Sequence, residues 1–160
     1  MDTYFFIPAN NQNFLKKAEK ISACHIILDL EDSIFNSHLE AAIKNIIELN
    51  MSKDYYVRIP FHKDSGIDQL KSLYKLIQNG YYRYVIPKVS SKKEIDLIID
   101  FLKQNLDHDI PPELIVLIEN PEAMINLSGM LTSSYISGVG FGSHDYCSSM
   151  GMNHSLSNIN

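Results

Sequence analysis

His25-Ile26-Ile27-Leu28-Asp29-Leu30-Glu31-Asp32 passes, within one short segment, from an unbroken apolar run to a cluster of carboxylates. An apolar run without polar alternation suits a parallel strand covered on both faces. Five further runs share its β-rich character: Tyr4–Ala9, Tyr55–Pro60, Tyr82–Val89, Glu113–Glu119 and Ile136–Gly142. Ile115-Val116-Leu117-Ile118 repeats the unbroken pattern most clearly. The run starts are spaced by 21 to 31 residues. One strand, one helix and their two loops consume about that length, so each interval holds one βα unit.

The intervening segments carry helical periodicity. Phe14, Leu15, Ala18 and Ile21 share one face, as do Leu39, Ala42, Ile43, Ile46 and Ile47. Ile67, Leu70, Leu73 and Ile77 follow the same rule, and so do Ile95, Ile98, Leu102 and Leu106. Asn120-Pro121 reads as an N-cap followed by proline in the first helical turn. Gly80 and Pro111-Pro112 end the third and fourth helices. This α/β pattern leaves two architectures, an open doubly wound sheet or a (β/α) TIM-type barrel. A dinucleotide site of the Rossmann kind is disfavoured. Pro8-Ala9-Asn10-Asn11 stands where its glycine-rich turn belongs, and Gly138, Gly140 and Gly142 come late and in the wrong spacing.

A chain of 160 residues with 45% hydrophobic residues predicts one domain over 1–160 that buries a core without disulfides or a structural metal. Its polar end, 147–160, is expected to fray. The net charge of −5 argues against unaided nucleic-acid or anionic-membrane binding, which need a basic surface. Cys24 and Cys147 form no CxxC pair, and His25, His38, His62, His108 and His154 show no zinc spacing. The N-terminus lacks the basic and apolar regions of a signal peptide, and no apolar run approaches a membrane span. A soluble, cytoplasmic protein in a reducing compartment is expected.

The charges fall in a positional pattern. The second run ends in Asp29, Glu31 and Asp32. The third carries Arg58 shortly before Pro60, Lys88 follows Pro87 in the fourth, Glu119 ends the fifth, and Asp145 follows the sixth. In a barrel, catalytic groups sit at the C-terminal ends of the strands, so these side chains would share one mouth. Crowded carboxylates repel one another unless a cation sits among them. A divalent ion relieves that, and Mg²⁺ needs only two carboxylates with waters and substrate oxygens. Arg58 would supply a fixed cation for a substrate carboxylate or a developing enolate. Singly, each residue has a plainer reading: a helix N-terminal charge for Glu119, an ordinary ion pair for Arg58, a solvated lysine for Lys88. Recurrence at one end of successive strands favours the site. His144 beside Asp145 invites a dyad reading, but sequence neighbours seldom face each other, and no catalytic role is expected of His144. No Gly-x-Ser-x-Gly elbow is present.

Six segments together resemble the HpcH/HpaI aldolase and citrate lyase β-subunit family. Tyr-Phe-Phe-Ile-Pro-Ala-Asn (4–10) is similar to its opening strand, and Ile-Leu-Asp-Leu-Glu-Asp-Ser-Ile (27–34) to its acidic signature. Val-Arg-Ile-Pro (57–60), Ile-Pro-Lys-Val (86–89), Leu-Ile-Glu-Asn (117–120) and Gly-Phe-Gly-Ser-His-Asp-Tyr (140–146), with Met150-Gly151 behind, follow in the family's order. The resemblance implies a TIM-type barrel of the phosphoenolpyruvate/pyruvate superfamily, trimeric or hexameric. It implies Mg²⁺, or alternatively Mn²⁺, held by Glu119 and Asp145, with Arg58 gripping the oxo-acid end of the substrate. Glu31 and Asp32 match the acidic pair near the metal, Lys88 a residue at the mouth, and Gly142 a substrate-contacting position. The implied chemistry is reversible carbon–carbon cleavage of a β-hydroxy acid or its CoA thioester through a metal-stabilised enolate.

Some family features are replaced. Asn10, Asn11 and Gln12 stand where the family has an arginine, and the basic positions of the second helix are replaced around His38, Leu39 and Ile43. Such positions often serve CoA or phosphate contacts. About six βα units fit the length where a closed barrel needs eight. A fragment, a covering subunit or an open sheet would each account for that. The competing function is a catalytically degenerate barrel that binds an oxo-acid or a partner without turnover. A phosphoenolpyruvate mutase-like barrel ranks below both.

Overall fold

The computed structural model describes residues 3–22, 24–32, 34–61, 70–106 and 109–153. Six strands, β1 (Tyr4–Pro8), β2 (His25–Asp29), β3 (Tyr56–Arg58), β4 (Arg83–Ile86), β5 (Glu113–Ile118) and β6 (Ile136–Phe141), all pair in parallel. Their order in the sheet is their order in the chain, β1 to β6. A doubly wound sheet reverses direction at a switch point, so this uninterrupted order decides between the two architectures. β1 and β6, the two ends of the order, line the same cavity, so the sheet curls. The fold is a partial TIM-type barrel.

Among the described residues six helices connect and follow the strands: α1 (Gln12–Ala18), α2 (Leu39–Glu48), α3 (Tyr74–Gln78), α4 (Lys92–Asn105), α5 (Pro121–Met130) and α6 (Ser143–Ser149). A 3-10 turn over Lys71–Leu73 leads into α3. Ile67 of the expected third helix lies outside the described residues. Asn120 does cap α5, its side chain accepting the Ala123 N–H at 2.8 Å, with Pro121 in the first turn. Ser91 and Glu94 form a capping box at α4.

Strand periodicity sorts the two faces of the sheet. Ile26, Leu28, Val57, Tyr84, Val116 and Ile118 point outward and join Leu15, Ile43, Ile46, Ile98 and Leu102 of the helices in the main core. Ile27, Tyr56, Val85 and Ile115 form a second, inner cluster. The expectation that the strands are covered on both faces holds for β2 to β5. At the two ends of the sheet Phe5, Phe6, Val139 and Phe141 are exposed.

The described strands stop one to three residues short of the apolar runs. The ends of those runs are loop and carry Glu31, Asp32, Lys88 and Glu119, while Asp29 and Arg58 are the last residues of β2 and β3. α6 reaches Ser149, so the expected tail over 147–160 begins inside a helix; residues 154–160 lie outside the described residues. So do His62, His108 and His154. Cys24 and Cys147 are free and half-buried. Among the described residues, no helix is long and apolar enough to cross a membrane.

Candidate functional site

Register places the first two groups. Asp29 and Arg58 are paired positions at the ends of β2 and β3, so both side chains leave the same face of the sheet. Arg58 Nε donates to Asp29 Oδ1 and Nη2 to Asp29 Oδ2, each at 2.8 Å. This two-pronged geometry is the strong form of the pair. Nη1 lies 2.8 Å from Asp32 Oδ2 and 3.0 Å from Glu31 Oε2. Three carboxylates therefore surround one buried guanidinium. Burial opposes its charge, but the Asp29 hydrogen bonds and the neighbouring carboxylates outweigh that and raise its pKa.

Glu31 is the most enclosed of the set, its side chain 2% exposed. Its oxygens are met by two ion pairs, Oε2 with Arg58 and Oε1 with Lys88 Nζ at 2.6 Å. Burial nevertheless pushes its pKa up to about 7 against the pull of both cations. Asp32 is half-exposed and follows the opposite course. Arg58 and Lys88 overcome the smaller cost of its burial and hold its carboxyl below the usual range.

Lys88 follows Pro87 in a left-handed backbone conformation, φ +54°. Its N–H donates to Glu119 Oε2 at 2.8 Å, while Nζ reaches Glu31 and, at 3.4 Å, Asp32 Oδ1. The residues after Lys88 and Glu119 are tied together: Ser90 Oγ donates to Asn120 Oδ1 at 3.3 Å, and Asn126 Nδ2 to the Ser90 carbonyl at 2.9 Å. Burial raises the pKa of Glu119, and the charge of Asp145 adds to it; the Lys88 N–H and the two cations hold it back. Asp145 lies in the first turn of α6, which the Tyr146 N–H bonded to the Gly142 carbonyl anchors to β6.

Arg58, Asp32, Glu119, Gly142 and Asp145 all line one cavity of about 560 Å³. Its floor is apolar, with Phe6, Val85, Ile115 and Leu117 among the lining residues. The Phe6 ring centroid lies 4.9 Å from the Arg58 guanidinium carbon. Glu31 and Lys88 are not among its lining residues; Glu31 is joined to it through Arg58 and Lys88 through Asp32.

A register shift between β5 and β6 sets Gly138 opposite Ile115 and Gly140 opposite Leu117. A Cβ on Gly140 would lie 2.6 Å from the Leu117 side chain, and one on Gly142 only 2.5 Å from Glu119 Cγ. The expected substrate contact at Gly142 is thus joined by a closer one: this glycine leaves the space that the Glu119 side chain fills.

From sequence Asp29 stood among the strand-end charges without a role of its own; its register with Arg58 makes it the principal partner. The left-handed turn at Lys88 and the closeness of Gly140 to Leu117 have no signature in a single sequence. His144 also lines the cavity, and its Nδ1 lies 3.5 Å from Asp145 Oδ1. These sequence neighbours do face each other, at the exposed rim.

Among the described residues no cluster of three or more His, Cys, Asp or Glu side chains is arranged to hold a metal ion. Glu119 and Asp145 are a two-carboxylate set in a cavity with room for waters. That is the donor chemistry Mg²⁺ accepts, whereas a closed zinc site needs more protein ligands.

The sequence profile of the HpcH/HpaI aldolase/citrate lyase family matches residues 2–159. A (3S)-malyl-CoA thioesterase of Cereibacter sphaeroides is 24% identical over 152 residues, covering 91% of this chain and 50% of the relative. The chain therefore spans about half the length of this relative. Among solved structures, the citrate lyase beta subunit of M. tuberculosis complexed with oxaloacetate and magnesium has a TM-score of 0.76 at 22% identity, over 95% of this chain and 62% of that one. The M. tuberculosis protein CitE in complex with magnesium, acetoacetate and coenzyme A has a TM-score of 0.77 at 23% identity, over 95% and 52%. A citrate lyase from Burkholderia xenovorans has a TM-score of 0.75 at 16% identity, over 94% and 51%. These likenesses show the fold.

Proposed function

The chain belongs to the HpcH/HpaI aldolase/citrate lyase family, and from that premise we propose that it is a Mg²⁺-dependent carbon–carbon lyase. Its substrate is a small β-hydroxy acid or the CoA thioester of one. The observation that carries this reading is the convergence of Glu119, Asp145 and Arg58 on one cavity beyond the C-terminal strand ends.

Glu119 and Asp145 would hold the ion, Mg²⁺ or alternatively Mn²⁺. When bound, it supplies Lewis acidity to the oxo-acid oxygens of the substrate. Arg58 orients the substrate's carboxylate. Asp32 is the half-exposed member of the Arg58 set, and it is the carboxylate that a substrate carboxylate displaces from Nη1. Glu31, with its pKa near 7, can hold or release a proton at neutral pH, and Lys88 balances its charge when the proton leaves. The apolar floor limits water at the reacting carbons. One barrel domain, working in a cytoplasmic homo-oligomer of three or six copies, is the setting of this reading.

A CoA thioester is named because one relative is a malyl-CoA thioesterase and one fold neighbour was solved with coenzyme A. A second reading, binding of an oxo-acid or a partner subunit without turnover, is favoured by one observation: Nε, Nη1 and Nη2 of Arg58 all already face protein carboxylates. The test is release of pyruvate, acetate or glyoxylate from a panel of hydroxy acids and CoA esters with Mg²⁺ present. Release supports the lyase. Saturable binding of an oxo-acid with no release from any panel member supports the second reading.

A further inference from the structure

Lys88 is one of two non-glycine residues with positive φ among the described residues. We propose that Lys88 is a positioning residue for Glu119 and acts on it through its main chain rather than through its ammonium group. The proposal rests on the reading of Glu119 as a metal ligand and adds a residue to it.

The left-handed turn separates the two ends of Lys88. Its N–H points at Glu119 Oε2, 2.8 Å away. Its Nζ points to the β2 loop and meets Glu31 Oε1 at 2.6 Å. One residue thus spans two acidic groups that stand in the loops after different strands. A lysine pays a conformational cost for this backbone, and such a cost persists where the surroundings over-determine it. They do so here: the Ser90 hydroxyl donates to the side-chain Oδ1 of Asn120, the N-cap of α5, and the Asn126 side-chain amide within α5 donates to the Ser90 carbonyl. Glu119 is then held at one oxygen and given room at the other. The Lys88 N–H occupies Oε2, and Gly142 lacks the Cβ that would come within 2.9 Å of Oε1. A carboxylate fixed in this way meets a metal ion without first losing rotamer freedom.

Three substitutions separate main chain from side chain. Lys88→Met removes the charge and leaves the left-handed backbone as accessible as it is to lysine. Lys88→Ile disfavours that backbone because it is β-branched. Lys88→Gly removes the conformational cost. Mg²⁺ affinity measured by calorimetry is expected to fall about tenfold in Lys88→Ile and to stay near the parent value in Lys88→Met and Lys88→Gly, whatever happens to turnover. Exchange of the residue 88 amide in metal-free protein gives a second readout. It is expected to be slow in the parent and in Lys88→Met, and faster in Glu119→Ala.

Equal losses in Lys88→Met and Lys88→Ile would overturn the proposal, because the ammonium group would then be the active part. Parent-like affinity in a folded Lys88→Ile would overturn it as well. If Lys88→Ile does not fold, the amide exchange decides: unchanged exchange in Glu119→Ala is contradictory, and faster exchange is supportive. If the parent protein binds no Mg²⁺, the metal reading fails by itself, and the same exchange measurement still decides whether Lys88 holds Glu119.

Discussion

Asp29 and Arg58, register partners on adjacent strands, meet through two hydrogen bonds of 2.8 Å between nearly buried side chains. The pair fixes the guanidinium at the head of the site, where Glu31 and Asp32 then approach the remaining nitrogen. Removing Asp29 would leave a buried cation short of its main partner. Asp29→Ala is expected to destabilise the fold by about 3 kcal/mol, read from urea unfolding midpoints. A loss below about 1 kcal/mol would mean that Glu31 and Asp32 hold Arg58 unaided.

A methyl group at position 142 would sit 2.5 Å from Glu119 Cγ, closer than packed carbons tolerate. Gly142→Ala is expected to keep the fold, because a side chain can swing away, and to weaken Mg²⁺ binding about tenfold by displacing Glu119. Calorimetry with a thermal melt on the same sample separates the two effects. Undiminished affinity would show that Glu119 retains its ligand position after moving.

The βα repeat, the parallel strands and the strand-end charges were legible because they are carried by periodicity and spacing, which a sequence displays directly. Arg58, Glu31, Asp32, Lys88, Glu119 and Asp145 were all named from their places after apolar runs, and the structure brings them to one end of the sheet. What the sequence concealed depends on geometry between strands. Asp29 matters because register sets it beside Arg58. The backbone of Lys88 is set by the loops on either side of it. From sequence Gly138, Gly140 and Gly142 only argued against a dinucleotide site; the packing between strands shows Gly140 and Gly142 making room for Leu117 and Glu119. Periodicity alone left an open doubly wound sheet beside the barrel; the family resemblance pointed to the barrel, and the strand order bears that out.

Glu31 carries a pH signature. Its ordinary pKa of 4.5 rises to about 7 in the folded protein, so the folded state keeps a proton that the unfolded chain releases. The stability this contributes is complete below pH 4.5 and is lost as pH rises through 7, a change of about 3 kcal/mol. Asp32, with its lowered pKa, acts in the other direction: its contribution is present above its ordinary pKa of 3.8 and is lost in more acid solution. Comparison with Glu31→Gln at matched pH isolates the first effect. Between pH 4.5 and 8 the parent should lose stability relative to that variant, as read from urea midpoints. Parallel stability curves would place the Glu31 carboxyl in its ordinary range.

The most direct test is calorimetric titration of Mg²⁺ into the parent protein, Glu119→Gln and Asp145→Asn, each shown to be folded by its melting curve. Saturable binding in the parent and its loss in both variants is the expected result. Unchanged affinity in the two variants would contradict the assignment of these carboxylates as the ion's ligands, and with it the lyase reading built on them.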